Sequence, residues 1–70
     1  MIFAANLRRL REAAGLRQCQ LAARLGVRPN SVWRWEHGCQ TPTVDRLPAL
    51  AAALGVRNWK DFFKEFANGA

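Results

Sequence analysis

The sequence predicts an all-α fold: a compact bundle of five helices, one domain over residues 1–70. Three observations carry this. Apolar residues recur at three- and four-residue steps, as on one face of a helix. Gly15, Gly26, Gly38 and Gly55 each follow such a stretch, where a helix commonly ends in a left-handed residue. No stretch alternates apolar and polar residues as a half-buried strand would. At 70 residues, half of them hydrophobic, the chain is near the lower limit for one stable core. That apolar content also argues against disorder.

The first helix is expected from about Phe3 to Ala14. Phe3, Leu7, Leu10 and Ala14 form its apolar stripe, and Arg8, Arg9 and Glu12 fall off it. The second, about Gln18 to Leu25, buries Leu21, Ala22 and Leu25, with Leu16 and Val27 as apolar plugs at its ends. The third, about Pro29 to His37, begins with a proline, whose missing N–H would be unpaired in a first turn anyway. Arg28, just before that proline, is pushed towards extended geometry and suits the cap position. The fourth helix lies in "TPTVDRLPALAAALG" and buries Leu47, Leu50, Ala51 and Leu54. Capped at Thr43, it would enclose Pro48 and lose a hydrogen bond. Capped at Asp45, it holds Pro48 in its first turn at little cost, so Asp45 is the expected cap. The last helix starts near Asn58 and carries Trp59, Phe62, Phe63 and Phe66 at helical spacing. This aromatic stripe has two readings. It closes the core against Ile2 and Phe3, or it is a dimer interface, since an excess apolar face in a small chain marks association.

The third helix, "RPNSVWRWEHG", holds two tryptophans that cannot share a face, because residues two apart lie about 200° apart on a helix. Val32 and Trp35 fall together and form its core side. Asn30, Trp33, Arg34 and His37 fall opposite. Arginine and asparagine are the side chains that read guanine and adenine edges bidentately.

Net charge is +6 and unevenly placed. Residues 1–35 hold seven arginines and a single acid, Glu12, whereas residues 36–70 hold four basic and four acidic side chains. Arginine forks match phosphate and guanine geometry, and a basic face of this kind favours a polyanion. Other classes fit poorly. No apolar run reaches the length of a membrane span, and the N-terminus has no signal-peptide pattern, so a cytoplasmic protein is expected. Cys19 and Cys39 lack CxxC spacing, and with His37 they give only three ligands, a poor count for structural zinc. The expectation is two reduced thiols, with no metal and no cofactor. No Ser/His/Asp or Cys/His constellation is present, and an enzyme is not expected.

The second helix ends at Gly26 and the third begins at Pro29. A turn of about three residues opening with glycine is the spacing of the DNA-binding helix-turn-helix. "NLRRLREAAGLRQCQLAARLGVRPNSVWRWEHG" followed by "TPTVDRLPALAAALGV" resembles the helix-turn-helix family of phage lambda repressor and Cro, the Xre-type regulators. The likeness runs from about Asn6 to Val56. Its markers are the "LRxLRxxxGL" opening, Gln18, "LAxxLGV" at Leu21–Val27, Glu36, Gly38, Pro42 and "ALAAALGV".

The resemblance implies a lambda-repressor-like DNA-binding domain and assigns roles residue by residue. Gln18 contacts a DNA phosphate, and Arg28, Pro29, Asn30, Trp33 and Arg34 read the major groove. His37, Cys39 and Gln40 lie near the sugar-phosphate backbone. Glu36 pairs with a basic residue on helix one, for which Arg11 is the matching candidate. Three departures matter. Arg17 stands where relatives carry a capping Ser or Thr, which costs about 1 kcal/mol but gives a side chain that can itself reach a phosphate. Pro29 replaces a polar base reader. Trp33 is large for its position, and either contacts thymine or folds back on the protein.

The function these observations imply is sequence-specific double-stranded DNA binding by a small prokaryotic or phage transcriptional regulator, a repressor by default. It would act as a homodimer on a near-palindromic operator, associated with the nucleoid. The competing reading is an antitoxin or other protein-interaction module that uses the aromatic stripe for a protein partner. A third is non-specific coating of nucleic acid, which predicts a steep salt dependence without sequence preference.

Overall fold

The computed structural model describes residues 2–63. It contains α1 (Ile2–Ala13), α2 (Gln18–Leu25), α3 (Pro29–Glu36) and α4 (Leu47–Leu54). A single 3-10 turn, Val44–Arg46, leads into α4, and a 3-10 segment, Trp59–Phe63, follows it. There is no strand among the described residues. The predicted fifth helix is represented there only by the 3-10 segment, and Phe66 lies outside the described residues.

One apolar cluster joins every element except the Val44–Arg46 turn. Phe3 and Leu7 enter from α1, Leu21 and Ala22 from α2, and Val32 and Trp35 from α3. Leu47, Leu50, Ala51 and Leu54 come from α4, and Phe62 from the last segment. Leu7, Leu21, Val32, Leu50 and Phe62 are sealed from solvent. Leu25 is only partly buried. Ala14, expected on the α1 stripe, is exposed just beyond the helix end.

The aromatic stripe divides. Phe62 is sealed in the core with its ring 5.6 Å from that of Phe3, whereas Phe63 is 47% exposed. Of the two readings of the stripe, Phe62 takes the core-closing one, against Phe3, and offers no surface for a dimer contact. The Phe63 ring still lies 5.5 Å from that of Phe3 and 6.3 Å edge-on from that of Trp59, so it covers the rim of the core with one side open. Asn6 fastens this segment to α1. Its Nδ2 donates to the Phe62 carbonyl at 2.8 Å, buried between the two elements.

The start of α4 corrects the capping expectation. Asp45 is exposed in the middle of the 3-10 turn and caps nothing; Thr43 is the residue before the turn. The Arg46 N–H donates to the Thr43 carbonyl at 2.9 Å, and the Leu47 N–H donates to that of Val44. These shorter-range bonds occupy the carbonyls that a continuous α-helix would offer later. Pro48 then stands in the first turn of α4, where no N–H is needed.

Candidate nucleic-acid interface

α2 packs on α3, and α1 packs across α3. The connection between α2 and α3 is set by Gly26. Its φ of 69° is left-handed, a conformation that costs a residue with a Cβ about 1–2 kcal/mol. The turn closes with Gly26 N–H to Ala23 O at 3.3 Å and Val27 N–H to Ala22 O at 3.0 Å, the Schellman pattern. Arg28 is extended (φ −80°, ψ 149°) ahead of Pro29, as the residue before a proline is driven to be. Its carbonyl accepts the Ser31 N–H at 2.9 Å and opens α3.

α3 presents two faces. Val32 and Trp35 are buried. Asn30, Trp33, Arg34 and His37 are exposed, as are Arg28 and Pro29 at its start. Trp33 remains 43% exposed and stacks on His37, with ring centroids 3.8 Å apart and planes 16° apart. The His37 Nδ1 also lies 2.8 Å from the Trp33 carbonyl oxygen. Trp33 thus rests partly on the protein while keeping one side open.

Beneath this face a buried ion pair joins α1 to α3. Arg11 Nε donates to Glu36 Oε2 at 2.5 Å and Nη2 to Oε1 at 3.1 Å. Nη1 donates to the Leu16 carbonyl at 2.7 Å. The hydrogen bond that Arg11 donates to Glu36 raises the Arg11 pKa further above its ordinary value, although burial works against it. Gln18 enters the same cluster. Its Nε2 donates to Glu36 Oε1 at 3.1 Å, which ties the start of α2 to the end of α3. That bond uses one of two amide protons and leaves the other for an outside acceptor. No buried side-chain nitrogen or oxygen among the described residues lacks a hydrogen bond.

Arg17 is exposed at the head of α2. Its guanidinium has no acceptor and cannot cap the helix, but its backbone N–H donates to Gln20 Oε1 at 2.8 Å, half of a capping box. Cys39 and Gln40 are exposed after α3, with backbone N–H groups directed to the Arg34 carbonyl at 3.0 and 3.4 Å. Cys19 is exposed on α2.

The basic excess of the first half is sorted by these contacts. Arg11 is consumed in the buried pair, Arg24 Nη1 donates to the Ala53 carbonyl near the end of α4 at 3.1 Å, and Arg8 pairs with Glu12 at 3.3 Å. Arg17, Arg28 and Arg34 form no ion pair with a described residue. Three of these contacts were not anticipated from sequence: Gln18 to Glu36, Arg24 to Ala53 and Asn6 to Phe62. Only Asn6 carried a signal, as a polar residue set among Phe3, Leu7 and Leu10 on the apolar side of α1.

Among the described residues no three His, Cys, Asp or Glu side chains converge as a metal site, and no helix is long and apolar enough to cross a membrane. A family model described as a helix-turn-helix domain matches residues 2–58. No curated protein and no solved structure matches the chain.

Proposed function

Because the chain belongs to the helix-turn-helix domain family, we propose that it binds double-stranded DNA in a sequence-specific manner as a small transcriptional regulator. The observation that carries this reading is the outward face of α3. Asn30, Trp33 and Arg34 are exposed on the second helix of the motif while Val32 and Trp35 hold that helix to the core. In this reading α3 enters the major groove. Arg34 and Asn30 read base edges as forked donors and acceptors. Arg28, Pro29 and Trp33 contribute shape and apolar contact. Arg17, Gln18, His37, Cys39 and Gln40 contact the phosphate backbone, where contacts position the protein without specifying sequence. The Arg11–Glu36 pair acts structurally, holding α3 to α1. No enzymatic step and no cofactor are part of the proposal.

The protein would repress by occupying a near-palindromic operator as a homodimer, with its two recognition helices about 34 Å apart in successive grooves. Ile2 and Phe63, 45% and 47% exposed, are two of the apolar residues available for contact with a second copy. The same two residues support the alternative reading, a surface for a protein partner such as a toxin.

Selection of binding sites from a random duplex library, at near-physiological salt with competitor DNA, tests the proposal. A two-fold symmetric consensus is expected. No enrichment by folded protein would overturn sequence-specific binding and favour the partner-binding surface.

A further inference from the structure

His37 is held in one orientation by two contacts with the residue one turn before it. Its ring lies flat on the Trp33 indole, at 3.8 Å and 16°. Its Nδ1 lies 2.8 Å from the Trp33 carbonyl oxygen, which also accepts the His37 backbone N–H at 3.0 Å. A carbonyl can only accept. The proton of a neutral His37 ring therefore sits on Nδ1, and Nε2 is left with a bare lone pair. That lone pair cannot bond a phosphate oxygen, which also only accepts. Moving the proton to Nε2 would set the Nδ1 lone pair against the carbonyl and lose the bond. The imidazolium alone satisfies both sides, with Nδ1–H to the carbonyl and Nε2–H to a phosphate. The indole face accommodates a cation stacked on it.

We propose that His37 contacts its DNA phosphate only as the imidazolium, so that DNA binding takes up one proton at this residue. The inference rests on the DNA-binding reading and adds a linkage to pH that the reading itself does not contain. The titratable and charged groups around the ring are few. Arg8, Arg9 and Glu12 from α1 line an open cleft of about 390 Å³ together with Glu36 and His37. The Glu36 carboxylate is committed to Arg11 and Gln18, and Glu12 pairs with Arg8. The Cys39 thiol lies 4.0 Å from the His37 carbonyl. None of these is a histidine, the side chain whose charge ordinarily changes between about pH 5 and 8. His37 is the sole histidine of the sequence, and a variant lacking it separates its proton from those of the α-amino group and the thiols, which can also titrate near neutrality.

The test uses the full chain and a fluorescein-labelled mixed-sequence DNA duplex, with anisotropy read at fixed ionic strength from about pH 7.5 to about pH 5.5. Wild-type affinity should rise several-fold as pH falls, and by no more than about tenfold per pH unit for one proton. Calorimetry in buffers of different ionisation enthalpy should detect net proton uptake on binding within this range, a fraction of a proton that matches the slope of the affinity profile and never exceeds one. His37→Gln, whose amide donates at any pH, should keep its melting temperature and show a flat profile. A flat wild-type profile with intact binding overturns the proton linkage while leaving DNA binding in place. An equal pH slope in His37→Gln overturns the assignment to His37. No binding to the duplex at any pH, even at low salt where phosphate contacts alone hold DNA, overturns the DNA-binding reading and this inference with it.

Discussion

Arg11 and Glu36, twenty-five residues apart in the chain, meet as a two-pronged ion pair. Gln18 and the Leu16 carbonyl complete its hydrogen bonding. One cluster therefore gathers α1, the head of α2 and the end of α3, the part of the fold that fixes where the outward face of α3 points.

Removing one partner of this pair leaves the other buried and uncompensated. Glu36→Ala should destabilise the fold by about 3 kcal/mol, at the lower end for a broken buried pair, measured by urea denaturation. It should also weaken DNA binding, because α3 loses its tie to α1. Unchanged stability would remove the pair from the account of the fold.

The same pair has a defined response to pH. The Arg11 pKa is raised by its bond to Glu36. A raised folded-state pKa contributes stability that is present below the ordinary arginine range and lost only above the folded value. Alkaline titration from about pH 8 to 10 should therefore leave the contribution of Arg11 intact, since arginine stays protonated there. A double-mutant cycle with Arg11→Ala and Glu36→Ala, repeated at both ends of this range, should return the same coupling. A coupling that decays with rising pH would contradict the assignment.

Gly26 can be tested without disturbing any contact. A Cβ placed on it meets nothing within 4 Å, so Gly26→Ala carries only the strain of a left-handed backbone. The expected loss is about 1 kcal/mol, a fall of roughly 4–8 °C in melting temperature for a domain of this size. No loss would mean the turn accommodates the new residue by changing shape, and DNA affinity should then change with it.

Asn6 makes the buried hydrogen bond to the carbonyl of Phe62. Asn6→Leu fills the space but leaves that carbonyl unpaired, at a cost of about 1–3 kcal/mol. Amide exchange should accelerate most over residues 59–63. Uniform acceleration along the chain would show that the bond supports the whole core rather than the last segment.

Arg34 is exposed on α3 and forms no ion pair with a described residue. Arg34→Ala should leave the melting temperature unchanged and cost about 1–3 kcal/mol on a selected DNA site, with a much smaller loss on mixed-sequence DNA. Equal losses on both would make Arg34 a phosphate contact.

The sequence by itself determined the four α-helices, the glycine-led turn between α2 and α3, and the division of α3 into a core side and an outward side. These depend on local rules: apolar spacing, the φ of glycine and the lost N–H of proline. Tertiary structure decided what those rules do not reach. It sealed Phe62 in the core and left Phe63 half-open at the rim against Phe3 and Trp59, in a segment tied down by Asn6. It put a 3-10 turn ahead of α4, so that Pro48 falls in the first turn of that helix, and left Asp45 exposed. It also sorted the arginines, committing Arg11 to Glu36 and Arg24 to a carbonyl of α4 while leaving Arg17, Arg28 and Arg34 without an ion-pair partner among the described residues. Spacing along a chain tells which residues share a face of one helix. Which charge finds which partner is set by distances between helices, and those exist only once the core has closed.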